Sequence, residues 1–209
     1  NFRAPQKSSC GRKVAAIAAG TLLLGVLLGI FSKWLDDMAL DDSIWWQKIL
    51  GILDLRNVFS DMPVWLLLGT DSAVVSPVIW QAAINVFAFF AGMTVSYHAY
   101  TVFVCGFNPW RYMLIWYGIA LLSPLAAAVC WCAGGRAKFS WILQLLLLGT
   151  MVLFAFPAGW LYVDLGNWAD LVCLGIMTGL FWQGPMKTAA LFGGAFVLRM
   201  IFAMVSVVL

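Results

Sequence analysis

The side chains of this sequence that could do chemistry are few and uneven in kind. All nine acidic residues are aspartates, glutamate is absent, and His98 is the single histidine. Reactions that need paired glutamates, histidine-rich metal sites or Glu–Arg motifs therefore have no raw material here. The five cysteines are Cys10, Cys105, Cys130, Cys132 and Cys173. Only Cys130 and Cys132 are close, spaced Cys-x-Cys, whereas disulfide enzymes use Cys-x-x-Cys. We read the thiols as small apolar packing groups. No Gly-rich phosphate loop, Gly-x-Ser-x-Gly or His-Glu-x-x-His occurs. The inventory argues against an enzyme, and no cofactor or metal is expected.

What remains is a set of polar residues inside apolar runs. An ionisable group in lipid costs roughly 2.5–3.5 kcal/mol on insertion scales, which singles out Asp71 and Arg199 as binding candidates. Asn85 sits at nearly the depth of Asp71 on the adjacent run, and its face continues through Ala88, Gly92 and Ser96. Asp71 is expected to face the protein interior and to contact Asn85 or Arg199. Asn85 itself reads as a group that ties helices together. His98, close to Tyr97 and Tyr100, is the fourth candidate and reads as an interfacial residue. Asp36, Asp37, Asp41 and Asp42 lack the spacing of a calcium loop and read as a solvated loop.

Elements that position such groups must sit in lipid. Of the 209 residues, 64% are hydrophobic and 10% charged, with mean hydropathy +0.95. A soluble chain this short cannot bury that much apolar surface. The twelve tryptophans favour the membrane–water interface. We expect an all-α, polytopic transmembrane helix bundle of seven spans, or six if spans two and three form one bent unit. Span one is the apolar run Val14 to Phe31, uncleaved because no small-x-small site follows it. Span two, about Met62 to Ser76, is short; Pro77 opens span three, to about Val104. Span four covers about Tyr112 to Cys132 and span five about Phe139 to Phe156. Span six, about Trp168 to Trp182, is again short, and Pro185 opens span seven, to Leu209. Residues 44–53 are too short and too charged to span, so one short interfacial helix is expected there on the outer side. Thr21, Gly25 and Gly29 form a small-residue stripe on span one, suited to close helix approach.

Lys and Arg set the orientation. With the N-terminus in the cytoplasm, Arg3, Lys7, Arg12, Lys13, Arg136, Lys138 and Lys187 fall inside, against Lys33, Lys48, Arg56 and Arg111 outside. Residues 1–13 form a basic cytoplasmic segment and residues 14–209 a single membrane domain. Within it, about 54–104 and 164–209 form a candidate internal repeat. Asp54-Leu55-Arg56-Asn57 and Asp164-Leu165-Gly166-Asn167 each precede a short span, then a proline, then Ala-Ala. Seven spans would make the repeat a parallel one. The net charge of +3 is too small and dispersed for nucleic acid.

Three stretches carry a resemblance: Asn57-Val58-Phe59-Ser60 leading to Trp65-Leu66-Leu67-Leu68-Gly69-Thr70; Asn85-Val86-Phe87-Ala88-Phe89-Phe90-Ala91-Gly92-Met93; and Gly106-Phe107-Asn108-Pro109 with Tyr112-Met113 and Trp116. Together they resemble a family of small multi-pass membrane proteins of Gram-positive bacteria to which no function is attached. The resemblance implies a bacterial plasma membrane and brings no site residue. In size the chain also resembles the substrate-binding membrane subunits of energy-coupling-factor transporters, and Ala15-x-x-x-Ala19 is compatible with their docking motif. The first functional expectation is a transporter-like or small-ligand-binding membrane module. The second is an accessory or scaffold subunit that packs on a partner membrane protein, or on its own copies, through the stripes of spans one and three. A membrane enzyme ranks third. The one partner common to all three is the lipid bilayer.

Overall fold

The computed structural model describes residues 11–41, 43–135, 138–157 and 163–208, with side chains to 204. Cys10, Asp42, Arg136 and most of the basic N-terminal segment lie outside the described residues. Within them the apolar runs form α1 (Gly11–Asp37), α2 (Trp45–Ile52), α3 (Leu55–Ser60), α4 (Met62–Val75), α5 (Ile79–Phe103), α6 (Trp110–Ala133), α7 (Lys138–Ala155), α8 (Trp168–Leu180) and α9 (Pro185–Val208). Five of these, α1, α5, α6, α7 and α9, are long and apolar enough to cross a membrane. The apolar helices α4 and α8 have 14 and 13 residues. The protein is a helical membrane bundle.

Turn chemistry separates the helices. Pro63 opens α4, where a missing N–H costs nothing. Gly184, at φ +104°, takes the left-handed turn before Pro185 and α9.

Cross-contacts give the direction of each helix. Tyr97, late in α5, reaches Asp36 at the end of α1. Asn85, early in α5, reaches Ser76, which follows α4, and Trp131, late in α6, reaches the same serine. Gln183, just before α9, bonds Gln144 in the first half of α7. Trp168, opening α8, bonds the Leu53 carbonyl between α2 and α3. So α1, α5, α7 and α9 run toward one end of the bundle, and α4, α6 and α8 run back. We name the ends by content: an acidic end holding α2, α3 and most aspartates, and an amide end holding Asn85, Gln144 and Gln183.

The closest packing is between α1 and α5. A methyl on Gly25 would strike the Phe89 carbonyl, one on Gly29 the Met93 carbonyl, and one on Gly92 the Leu22 carbonyl. The two small-residue stripes thus meet each other inside the chain, where backbones must come together.

Two buried cores result. One gathers Leu148, Met151, Cys173, Met177, Leu191 and neighbours from α7, α8 and α9; the other gathers Val86, Phe89, Met93, Ala120 and Ala127 from α5 and α6. Helix α4 serves both, giving Leu67 to the first and Trp65 and Ala73 to the second.

Three expectations need correction. Helix α1 runs six residues beyond Phe31, so Asp36 and Asp37 are helical rather than a solvated loop. Residues 44–53 do form a helix, α2, but none of its residues is buried, and a second short helix, α3, follows. Asp54 separates the two in a left-handed conformation (φ +50°), with Asn57 Nδ2 donating to both its carboxylate oxygens at 3.0 and 2.9 Å. The third concerns Asp71 and is described with the site. The two candidate repeat segments share the order short helix, proline, long helix. They pack differently: α4 packs on α5, whereas α8 lies between α4 and α7 and α9 lies on α7.

Candidate functional site

The stripe on α1 continues past its glycines. Gly25, Gly29, Ser32 and Asp36 follow one another at helical spacing on the face turned to α5. Asp36 therefore arrives beside Tyr97, whose hydroxyl donates to Oδ2 at 2.7 Å, while Ser60 Oγ of α3 donates to Oδ1 at 3.3 Å. The nearby cations are engaged elsewhere. Arg56 donates through Nε to the Leu35 carbonyl at 3.3 Å and through Nη2 to the Met38 carbonyl, covering free acceptors at the end of α1. The buried Lys33 places its ammonium 5.7 Å from the Tyr97 ring centroid and 5.5 Å from that of Phe107.

Against these groups lies a narrow, open cleft with room for a few water-sized groups. Phe59, Trp65, Tyr97, Tyr112 and Trp116 give it aromatic walls; Ser32, Asp36, Ser60 and Thr94 give it polar atoms. Thr94 is 1% exposed, and its hydroxyl has no hydrogen-bond partner.

A second, wider space of about 240 Å³ lies beside the first, between α4, α5 and α6. Its lining is apolar: Met62, Leu66, Val86, Phe90, Ile119 and Leu122 among others. Only Thr70, Ser123 and Cys130 add polar atoms; Thr70 Oγ1 and Cys130 Sγ lie 3.5 Å apart. Trp65 and Trp116 line both spaces, so the two share a wall. Trp65 is held in place, with Nε1 donating to the Phe59 carbonyl at 3.0 Å and its ring packed on Phe59 and Phe89. We call the cleft and the groove beside it the channel: its polar atoms lie at the acidic end, and its apolar part lies between α4, α5 and α6.

None of the four residues singled out in sequence lines this channel. Asp71 is exposed on α4, with no hydrogen bond or ion pair among the described residues, which overturns the expected contact. The depth of Asn85 was close, but the azimuth was not. Gly69 and Ala73 turn inward, and at about 100° per residue Asp71 points roughly 160° away from both. Asn85 instead donates through Nδ2 to Ser76 Oγ at 3.2 Å, and Trp131 Nε1 donates to the Ser76 carbonyl at 3.0 Å, tying α4, α5 and α6 together. Arg199 donates through Nε to the Phe156 carbonyl at 3.1 Å, at the end of α7. His98 lies between the Tyr117 hydroxyl (2.8 Å from Nδ1) and Asn108 Oδ1 (2.9 Å from Nε2). It pins the turn between α5 and α6, with Nε2–H as donor and Nδ1 as acceptor in the neutral ring.

The channel residues that sequence reasoning missed are Asp36, Ser60, Thr94 and Tyr97. The available signal was the continuation of the α1 stripe to Ser32 and Asp36. Elsewhere at the acidic end, partial burial and then the Asp54 carboxylate raise the Asp61 carboxyl above its ordinary value. The four described cysteines are free thiols. The chain matches no protein-family model, no curated protein and no solved structure.

Proposed function

We propose that this chain is a seven-span membrane module that binds an amphipathic small molecule, entering sideways between α4 and α6. One observation carries the reading: an apolar groove of about 240 Å³ that shares two wall tryptophans with a polar cleft. Binding sites are largely apolar concavities with a few placed polar groups, and this channel has that composition. The alternation of helix directions supports counting α4 and α8 as spans. The resemblance to Gram-positive membrane proteins supports a bacterial plasma membrane, and the basic asymmetry supports a cytoplasmic N-terminus. Of the two leading readings, the accessory one loses its first argument, because the stripes on α1 and α5 occupy each other.

The test is saturable binding of a single-chain amphiphile to the purified protein in lipid nanodiscs. Ala126 lines the groove and is exposed, so Ala126→Trp fills the space without entering a core. We expect that variant to weaken binding by about tenfold or more, since the groove supplies most of the buried apolar contact. Unchanged binding would remove the groove from the account.

A further inference from the structure

We propose that the polar end of the channel recognises an ammonium head, so that the ligand is a single-tailed organic cation with its tail in the α4–α6 groove. The inference rests on the binding reading above and assigns its ligand class. The cleft lining has one charged side chain, Asp36, and no lysine or arginine. A phosphate or carboxylate head would meet a carboxylate and no cation there. Among the described residues Asp36 is in no ion pair; its oxygens accept only from Tyr97 and Ser60. The direct partners of this half-buried carboxylate are neutral hydroxyls, so a ligand cation in the cleft would be its first ion-pair partner.

The walls match the same ligand. Ammonium and quaternary ammonium groups bind over aromatic faces, best over Trp and Tyr. Phe59, Trp65, Tyr112 and Trp116 ring the cleft, and Lys33 over Tyr97 and Phe107 shows a cation already held this way at the same end. Thr94 adds an independent sign of a polar occupant. Thr94 lines the cleft and its hydroxyl is buried and unpartnered, a group that an N–H of the ammonium head would satisfy. The tail belongs in the groove because Trp65 and Trp116 border both spaces, and one groove between two helices takes one chain.

The experiment uses the full chain in lipid nanodiscs, with tritiated dodecylammonium as probe in a scintillation proximity assay. Unlabelled dodecylammonium, dodecyl octaethylene glycol ether and dodecyl phosphate compete. We expect the ammonium to compete about tenfold better than the neutral ether, and the phosphate to be weakest. Asp36→Asn should erase the preference for the cation and leave the ether's binding in place, since Tyr97 can still donate to the amide oxygen. Tyr112→Leu, at a side chain 49% exposed, should reduce ammonium binding several-fold and keeps the test open if Asp36→Asn fails to fold. If the ether or the phosphate matches the ammonium, or Asp36→Asn keeps the preference, the head-group assignment is wrong while Ala126→Trp still reports on the groove. If no amphiphile shows saturable binding that Ala126→Trp weakens, the binding reading itself fails.

Discussion

Arg199 donates to a carbonyl at the end of α7, where backbone acceptors have no partner within the helix. A cation there is favoured by the helix dipole, and a hydrogen bond from a charged group is worth roughly 1.5–3 kcal/mol. Arg199→Met should therefore lower stability by about 2 kcal/mol, with Arg199→Lys retaining part of it, read as unfolding midpoints in one detergent. Asp71 contrasts with it. Having no partner in the described chain, Asp71 gives up nothing on replacement, so Asp71→Leu should leave stability unchanged or raise it; a loss would reveal a contact. Asp61 behaves differently again, because its carboxyl is raised by burial and by Asp54. A raised acid binds its proton more tightly folded than unfolded, so stability falls as pH rises through its folded value. Asp61→Asn should raise the unfolding midpoint at neutral pH, and the gain should vanish below the carboxylate range. Sequence alone made the cost of Asp71 and Arg199 legible, along with their approximate depth. It did not show azimuth, which depends on which neighbour each helix face meets.

Among the elements, α1 and α5 show most directly how spacing becomes structure. The stripe of Gly25 and Gly29 was legible because small residues four apart allow backbones to touch. At Gly25 and Gly29 even one methyl group would meet a carbonyl of α5, while Gly20 has open space around its Cα. Gly25→Ala should then cost about 1–3 kcal/mol or more through overpacking, whereas Gly20→Ala should be tolerated. Equal midpoints for the two variants would contradict the packing described. The end of α1 was not legible in the same way. Lys33, Asp36 and Asp37 look like a water-facing loop by composition, yet Arg56 and Tyr97, distant in sequence, supply the contacts that keep the helix going. Tertiary contacts decided it, and with it the acid of the candidate site. The separation of α2 from α3 was hidden for a related reason: it turns on the left-handed backbone of one aspartate, Asp54.

For the whole molecule, the proposed topology puts the amide end in the cytoplasm and the acidic end outside. In a background freed of native cysteines, Lys138→Cys should resist an impermeant thiol reagent added to intact cells, and Trp45→Cys should react. The reverse pattern would invert the orientation and place the cleft on the cytoplasmic side. Helices α4 and α8 are the shortest apolar helices, they run in the same direction, and they pack side by side. At 1.5 Å per residue they rise only about 21 and 20 Å, against a hydrocarbon layer of about 30 Å. Because they are neighbours, the shortfall falls on one flank. With both helices spanning, as proposed, lipids there would compress, dimpling the bilayer beside a bundle whose other apolar helices are longer. Asp71, about 6 Å from the last residue of α4, would then lie near the edge of the thinned patch, within reach of headgroups and water. On this geometry the protein should be more stable in vesicles of dilauroyl than of dierucoyl lipids, and Asp71→Leu should narrow that difference.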